Sequence, residues 1–237
     1  MLTMRLSHVI ISEVGRDTDL SLGDILHPHE VGVYNRLAGY ARADWLCGRV
    51  AVKRAYRDYV CKQNLALSAV EVANKRNGQP YICNHADGYC SISHSHGQGL
   101  AAVADHPIGV DIEKIRPHSR ELVDYIVDQR ELNVVARTIQ GSTDQLVTTV
   151  WTIKEAVMKA LGFGLAIAPK SVVISNHQKG FYTVLARCKT RVLEWYVYSV
   201  VCDGCCFSIA SLLSYGQPKL DWVNQSFIST ATASDEY

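Results

Sequence analysis

The sequence has no long apolar run and almost no net charge. No segment approaches the ~18 consecutive apolar residues that a membrane-spanning helix needs, and the first residues lack the apolar core of a secretory signal. The formal net charge is +1, whereas nucleic-acid-binding domains usually carry a marked basic excess. These absences argue against membrane, secreted and nucleic-acid-binding classes. We therefore expect a cytoplasmic protein.

The eight cysteines need a separate explanation. In a reducing compartment they are expected to be thiols, mostly small buried hydrophobic side chains. Cys202 and Cys205 have the spacing of a zinc or redox pair, but Asp203-Gly204 between them predicts a two-residue hairpin turn. A zinc site would need a further pair of ligands. The other conceivable ligands are irregularly spaced, which argues against zinc; they are Cys83, Cys90, His94 and His96.

Residues 109–113 read Gly-Val-Asp-Ile-Glu. The alternating β-branched apolar residues of 108–112 predict a strand. Because alternate side chains of a strand lie on the same face, Asp111 and Glu113 are expected to point the same way. The alternative is that both carboxylates lie on the solvated face of an edge strand.

Residues 151–159 read Trp-Thr-Ile-Lys-Glu-Ala-Val-Met-Lys and predict a helix that stops at Gly162. Glu155 and Lys159 are four residues apart and share one helix face, where they could also be an ordinary ion pair. Mg²⁺ prefers oxygen ligands and is usually held by one or two carboxylates plus substrate phosphates. The strand and the helix together therefore predict magnesium-assisted phosphoryl transfer.

The two segments, in this order, resemble the paired signatures of the 4′-phosphopantetheinyl transferases, in particular the larger kind that activates surfactin and enterobactin synthetases. Residues 108–113 and 151–162 match that family's pattern at every constrained position. A third signature, a serine-histidine step after a short strand, resembles residues 90–95. The resemblance spans roughly residues 40–175.

The resemblance implies an α/β (α+β) fold of two similar subdomains related by a pseudo-two-fold axis, each a small sheet packed with helices, with a ligand cleft between them. Residues 1–106 would form the coenzyme A side and residues 107–215 the metal side. Residues 216–237 are expected to be a mobile tail. A possible internal repeat agrees with two halves. Trp45 and Trp151 are 106 residues apart, and so are Lys53 and Lys159.

The reaction implied by the resemblance is attack by a serine hydroxyl of an apo acyl or peptidyl carrier protein on the β-phosphate of coenzyme A. Adenosine 3′,5′-bisphosphate is released. The implied metal ligands for Mg²⁺ are Asp111, Glu113 and Glu155, and the implied catalytic residues are Glu155, Lys159 and Glu131. The implied coenzyme A contacts are Arg49, Lys53, Lys75, Arg76, Gly78, Pro80, Ser93, His94 and Lys154.

Some assignments stay open at the level of sequence. Gln79 stands where the family usually has a lysine, so the residues that hold the 3′-phosphate are not fixed. Glu155 and Glu131 are both candidates for the general base. Glu131 lies in residues 121–135, which predict one helix, and the alternative for it is a solvated helix glutamate.

Two other functions fit part of the pattern. A metal-dependent nuclease or phosphodiesterase also uses carboxylates and a lysine beside a metal, and magnesium-dependent nicking of a plasmid would favour it. An inactive binding module of the same fold is the second alternative, favoured if Asp111→Ala alters no activity. A monomer is expected, and the carrier protein can belong to fatty acid, polyketide or nonribosomal peptide synthesis.

Overall fold

The computed structural model describes residues 21–62, 64–83, 85, 88–163, 167–178, 180–188 and 191–212, and the backbone of residues 9–14. The strands are β1 (Val9–Val14), β2 (Val72–Asn74), β3 (Pro80–Ile82), β4 (Tyr89–Ser95), β5 (Gln98–Ala104), β6 (Ile108–Lys114), β7 (Val172–Gln178), β8 (Phe181–Cys188), β9 (Arg191–Cys202) and β10 (Cys205–Ser211). The α-helices are α1 (Leu22–Ile25), α2 (Pro28–Arg36), α3 (Gly39–Tyr59), α4 (Arg120–Ile126), α5 (Gln129–Ala136) and α6 (Thr143–Ala160). None of the helices within these ranges has both the length and the apolar content of a membrane span. The predicted tail, residues 216–237, lies outside them.

The chain divides into two compact units, residues 1–108 and 109–237. The first unit has an antiparallel sheet in the order β1-β5-β4, the small hairpin β2-β3 and the long helix α3 against the sheet. Its core includes Ile25, Val50, Leu67 and Val103. Gly99 of β5 permits close packing on α3, since a Cβ there would lie 2.6 Å from the Gly48 nitrogen.

The second unit has a five-stranded sheet in the order β6-β10-β9-β8-β7, with α6 packed on it. Its core includes Trp195, Ile153 and Val184. The predicted hairpin turn is confirmed: Asp203 and Gly204 have φ values of 49° and 71°, and the strands continue on either side. With a small sheet and packed helices in each unit, the predicted α/β class is confirmed.

The single helix predicted over residues 121–135 is wrong, because α4 and α5 are separate. Asp128 has extended backbone and caps α5: its carboxylate accepts from the Arg130 amide at 2.8 Å. Glu131 in turn accepts from the Asp128 amide at 2.9 Å, which completes a capping box. These reciprocal bonds satisfy amides that a continuous helix would have used, so the chain starts a new helix here.

Candidate active site

In the second unit, the carboxylates of β6 interact with a lysine and a glutamate on one face of α6. Asp111 is buried on β6, and Lys159 Nζ donates to its Oδ1 at 2.7 Å. Glu155, one turn earlier on α6, is 9% exposed. Glu113, two residues after Asp111, is half-buried. The predicted juxtaposition of the strand and the helix is therefore present, and it joins a lysine to a carboxylate across the two elements.

The charges of these groups act on one another. The pKa of Glu155 is raised to about 7, chiefly by burial and next by the negative charge of Asp111, while the positive charge of Lys159 opposes the rise and Glu113 adds a smaller one. A buried carboxylate beside two others is costly to ionise without a compensating cation. Lys159 supplies one positive charge, and a divalent cation would supply the rest.

The donor set fits Mg²⁺ without being a closed cage. Within the described part of the chain, the one place where three potential ligand atoms lie within 4.8 Å of one another is His27, His29 and Glu71, so the carboxylates of β6 and α6 are spread more widely. Mg²⁺ usually keeps several waters and takes one or two carboxylates together with substrate phosphates. An open, all-oxygen set such as this suits that coordination.

Gly109 makes the approach of β6 to α6 possible. A Cβ at this position would collide with the carbonyl oxygen of Ala156 and would lie 2.6 Å from the Ala160 nitrogen. Both are helix backbone atoms, which cannot move aside as a flexible side chain can.

We therefore expect Gly109→Ala to separate β6 from α6. The free energy of unfolding should fall by about 1–3 kcal/mol, the usual cost of overpacking, and any activity that depends on Asp111 should fall with it. Urea unfolding measures the first effect. Gly32→Ala is the control, because its nearest neighbour is a flexible Arg36 atom at 3.7 Å and alanine favours a helix. Equal stability of the two variants would contradict the explanation.

Lys154 and Glu131 form a buried pair in the same unit. Lys154 Nζ donates to Glu131 Oε2 and to the Ile126 carbonyl, both at 2.7 Å, and the amine is fully buried. Glu131 Oε1 also accepts from the Ile174 amide at 2.9 Å. The sequence predicts a coenzyme A contact for Lys154 and either a catalytic or a solvated position for Glu131. The solvated alternative is wrong, because Glu131 is 1% exposed. The coenzyme A contact and the catalytic role stay predictions, and the filled hydrogen bonds argue against both.

The first unit contains the same network. Lys53 Nζ donates to the Ile25 carbonyl at 2.8 Å and to Glu30 Oε2, whose other oxygen accepts from the Val72 amide at 3.3 Å. This buried ion pair argues against the predicted phosphate contact of Lys53, which stays a prediction.

The equivalence of the two networks fixes the internal repeat. The differences 126 − 25, 131 − 30 and 154 − 53 all equal 101. The sequence comparison with a spacing of 106 residues paired Lys53 with Lys159. That pairing is wrong, because Lys159 binds Asp111 and not the equivalent of Glu30. Identical hydrogen bonds are stronger evidence of equivalence than two identical residues at a common spacing. The role of Glu30 in this network was not predicted from the sequence.

Arg49 is also buried within the first unit. It is 7% exposed, its guanidinium lies 4.7 Å from the centre of the Trp45 ring, and its Nε lies 3.7 Å from Glu30 Oε1. Burial lowers its pKa, and the charge of Glu30 opposes that change. A phosphate contact by Arg49 stays a prediction. It would require N–H groups at the edge of the stacked guanidinium to donate to the phosphate.

The serine-histidine step lies at the end of β4. Ser93 is buried and His94 is exposed. A Cβ on Gly48 of α3 would lie 3.5 Å from His94 Cδ2 and 2.9 Å from a methyl group of Ile92. The glycine therefore lets the β4 side chains pack against the helix. The coenzyme A contacts of Ser93 and His94 stay predictions.

The basic turn after β2 is exposed. Lys75 and Arg76 both face solvent, and Lys75 Nζ donates to the Gln79 side chain at 3.2 Å. Gly78 has a φ of 86°, a conformation that favours glycine. Lys75, Arg76, Gly78 and Pro80 therefore stay candidates for a phosphate contact.

Comparison with known proteins places the chain in a family. The model of the 4′-phosphopantetheinyl transferase superfamily matches residues 107–210. The chain is 29% identical to 4′-phosphopantetheinyl transferase gsp of Aneurinibacillus migulanus over 54% of this chain and 58% of that protein. It is 30% identical to 4′-phosphopantetheinyl transferase Sfp of Bacillus subtilis over 52% of this chain and 56% of that protein.

A third relative is matched over more of its own length. The chain is 31% identical to the holo-[acyl-carrier-protein] synthase of Geobacillus kaustophilus over 36% of this chain and 70% of that protein. The alignments with the first two relatives span little more than half of their length. On these matches, the chain belongs to the 4′-phosphopantetheinyl transferase superfamily.

Proposed function

We propose that this chain transfers 4′-phosphopantetheine from coenzyme A to a serine hydroxyl of an apo acyl or peptidyl carrier protein, with Mg²⁺. The serine oxygen bonds to the β-phosphate, the bond from that phosphorus to the bridging oxygen breaks, and adenosine 3′,5′-bisphosphate leaves. The observation that carries the proposal is the Lys159–Asp111 bond beside Glu155, which joins the two family signatures within unit two. The names of the relatives support transfer of 4′-phosphopantetheine, and one of them names an acyl carrier protein.

The residues of unit two divide the work by their chemistry. Asp111 and Glu113 would hold Mg²⁺, with Glu155 as a third ligand. When bound, the metal would offset charge on the phosphate oxygens. Lys159 holds Asp111 in place and, as an ammonium with three donors, has the capacity to bind a phosphate oxygen as well.

Glu155 is the proposed acceptor of the serine proton. Mg²⁺ needs only one or two carboxylates, so Asp111 and Glu113 can serve it while Glu155 keeps an oxygen for the proton, directly or through one water. Glu131 is not suited to this task, because its oxygens already accept from Asp128, Lys154 and Ile174.

Residues of unit one are proposed to bind the rest of coenzyme A. Ser93 and His94 are proposed to contact its phosphates, and the exposed cations Lys75 and Arg76 are the candidates for the 3′-phosphate. Gln79 can donate a hydrogen bond but carries no charge. The proposal therefore assigns the positive charge at this turn to Lys75 and Arg76.

The test is mass spectrometry of apo carrier proteins incubated with this chain, coenzyme A and Mg²⁺. Each modified carrier should gain the mass of one phosphopantetheine group, and a chelator should abolish the gain. Carriers from fatty acid, polyketide and nonribosomal peptide synthesis should be tried in parallel.

Matched variants separate the proposal from its rivals. Asp111→Asn should lose transfer, while Asp124→Asn, which is highly exposed on α4, should keep it. No mass gain on any carrier would overturn the proposal. Magnesium-dependent plasmid nicking that Asp111→Asn abolishes would favour a nuclease instead.

A further inference from the structure

Unit one contains a cluster of potential metal ligands that the proposed reaction does not use. It consists of His27, His29 and Glu71, each of which offers a ligand atom within 4.8 Å of the others. His29 Nδ1 lies 2.8 Å from Glu71 Oε1, and the two imidazole centres are 4.9 Å apart. The three side chains converge although 42 residues separate His29 from Glu71.

The backbone around the cluster is held by bonds that do not depend on a metal. His27 is the N-cap of α2, and its amide donates to Glu30 Oε2 at 2.9 Å. Pro28 at the first helical position presets the backbone for the helix. His27 and His29, two residues apart, are thereby held at the N-terminal end of α2 with their rings in edge contact.

Glu71 is held from the other side. The Val72 amide donates to Glu30 Oε1 at 3.3 Å, so the buried Glu30 ties the start of β2 to the start of α2. The Glu71 carbonyl accepts from the Cys83 amide at 3.0 Å. The backbone at Glu71 is therefore fixed without a metal.

The donor chemistry selects the metal. Two imidazoles and one carboxylate suit Zn²⁺, whereas Mg²⁺ prefers oxygen alone. His29 is 75% exposed, which leaves a coordination position open to water. We propose that His27, His29 and Glu71 form a Zn²⁺ site that joins the N-terminus of α2 to the start of β2. Each histidine would bind the metal through a ring nitrogen that carries no hydrogen, as a neutral imidazole does.

The probe is Zn²⁺ alone, titrated into the reduced full chain by isothermal calorimetry, with Co²⁺ as a spectroscopic substitute. The wild-type chain should bind one Zn²⁺ that His27→Asn, His29→Gln and Glu71→Gln each bind at least about 10-fold more weakly. His27→Asn is informative because asparagine keeps a helix cap while removing the imidazole. Zn²⁺ should also raise the Tm of the wild type more than that of these variants.

Two controls exclude zinc bound elsewhere. Cys202→Ser with Cys205→Ser removes the pair with C-x-x-C spacing, and His177→Asn removes a histidine on β7; both should keep the affinity of the wild type. Circular dichroism establishes that the ligand variants are folded. The proposal is overturned if folded ligand variants bind Zn²⁺ as the wild type does, if the cysteine variant alone loses binding, or if excess Mg²⁺ displaces the metal.

Discussion

Glu155→Gln is expected to lower the turnover of phosphopantetheine transfer by about 10²- to 10³-fold, the loss typical of removing one group that stabilises charge in the transition state. Coenzyme A binding should change little, because the amide keeps the shape of the side chain and loses only its charge and basicity. An interaction that matters chiefly in the transition state acts on turnover more than on binding. Rates from mass spectrometry and affinities from calorimetry, both with Mg²⁺, measure the two effects.

The control for this variant is Glu121→Gln, the same substitution at an exposed position of α4. It should leave turnover and affinity unchanged. Glu155→Gln should also remain folded, because burial and the neighbouring carboxylates raise the pKa of Glu155 to about 7, so its neutral form is already easily reached in the fold. Equal losses of turnover and of binding would contradict the assignment, since they would place Glu155 in ground-state binding.

Much of this site could be predicted because its determinants are local. Alternation around Asp111 predicts the strand, and the apolar spacing before Gly162 predicts the end of the helix. The Asp203-Gly204 turn follows from backbone preferences of those two residues. The start of α6 at Thr143, eight residues before the predicted helix, was missed because its cap, Ser142, lies outside the motif. Local patterns thus predicted which segments are strands and helices. The position where α6 begins depended on the capping residue Ser142.

The roles of the buried lysines could not be predicted, because they depend on contacts between distant segments. Lys53 and Lys154 lie on helices, and a lysine on a helix is ordinarily predicted to be solvated or to bind a ligand. Their partners, Glu30 and Glu131, each lie 23 residues away and also cap helices. The useful signal was the repeated glutamate three residues after a capping side chain, His27 in one unit and Asp128 in the other.

Removing either member of the Glu131–Lys154 pair is expected to have the largest effect on stability. Lys154→Met leaves Glu131 charged in a buried site, and Glu131→Ala deprives Lys154 and the amides of Asp128 and Ile174 of their acceptor. Breaking a buried ion pair by removing one partner costs about 3–5 kcal/mol. Urea unfolding should show that loss, and hydrogen exchange with mass spectrometry should locate it in residues 109–212.

A double-mutant cycle distinguishes loss of the pair from general damage to the core. The cycle uses Glu131→Gln alone, Lys154→Met alone and the two combined. The double variant removes both charges, so it should be more stable than the sum of the two single losses predicts. Glu121→Ala, at an exposed position, should change stability by less than about 0.5 kcal/mol. Strictly additive losses would mean that the pair contributes by packing alone. Because Glu30 and Lys53 repeat the network, Lys53→Met should give the same pattern in unit one. The two halves would then share a stabilising device, while unit two alone carries the carboxylates of the proposed chemistry.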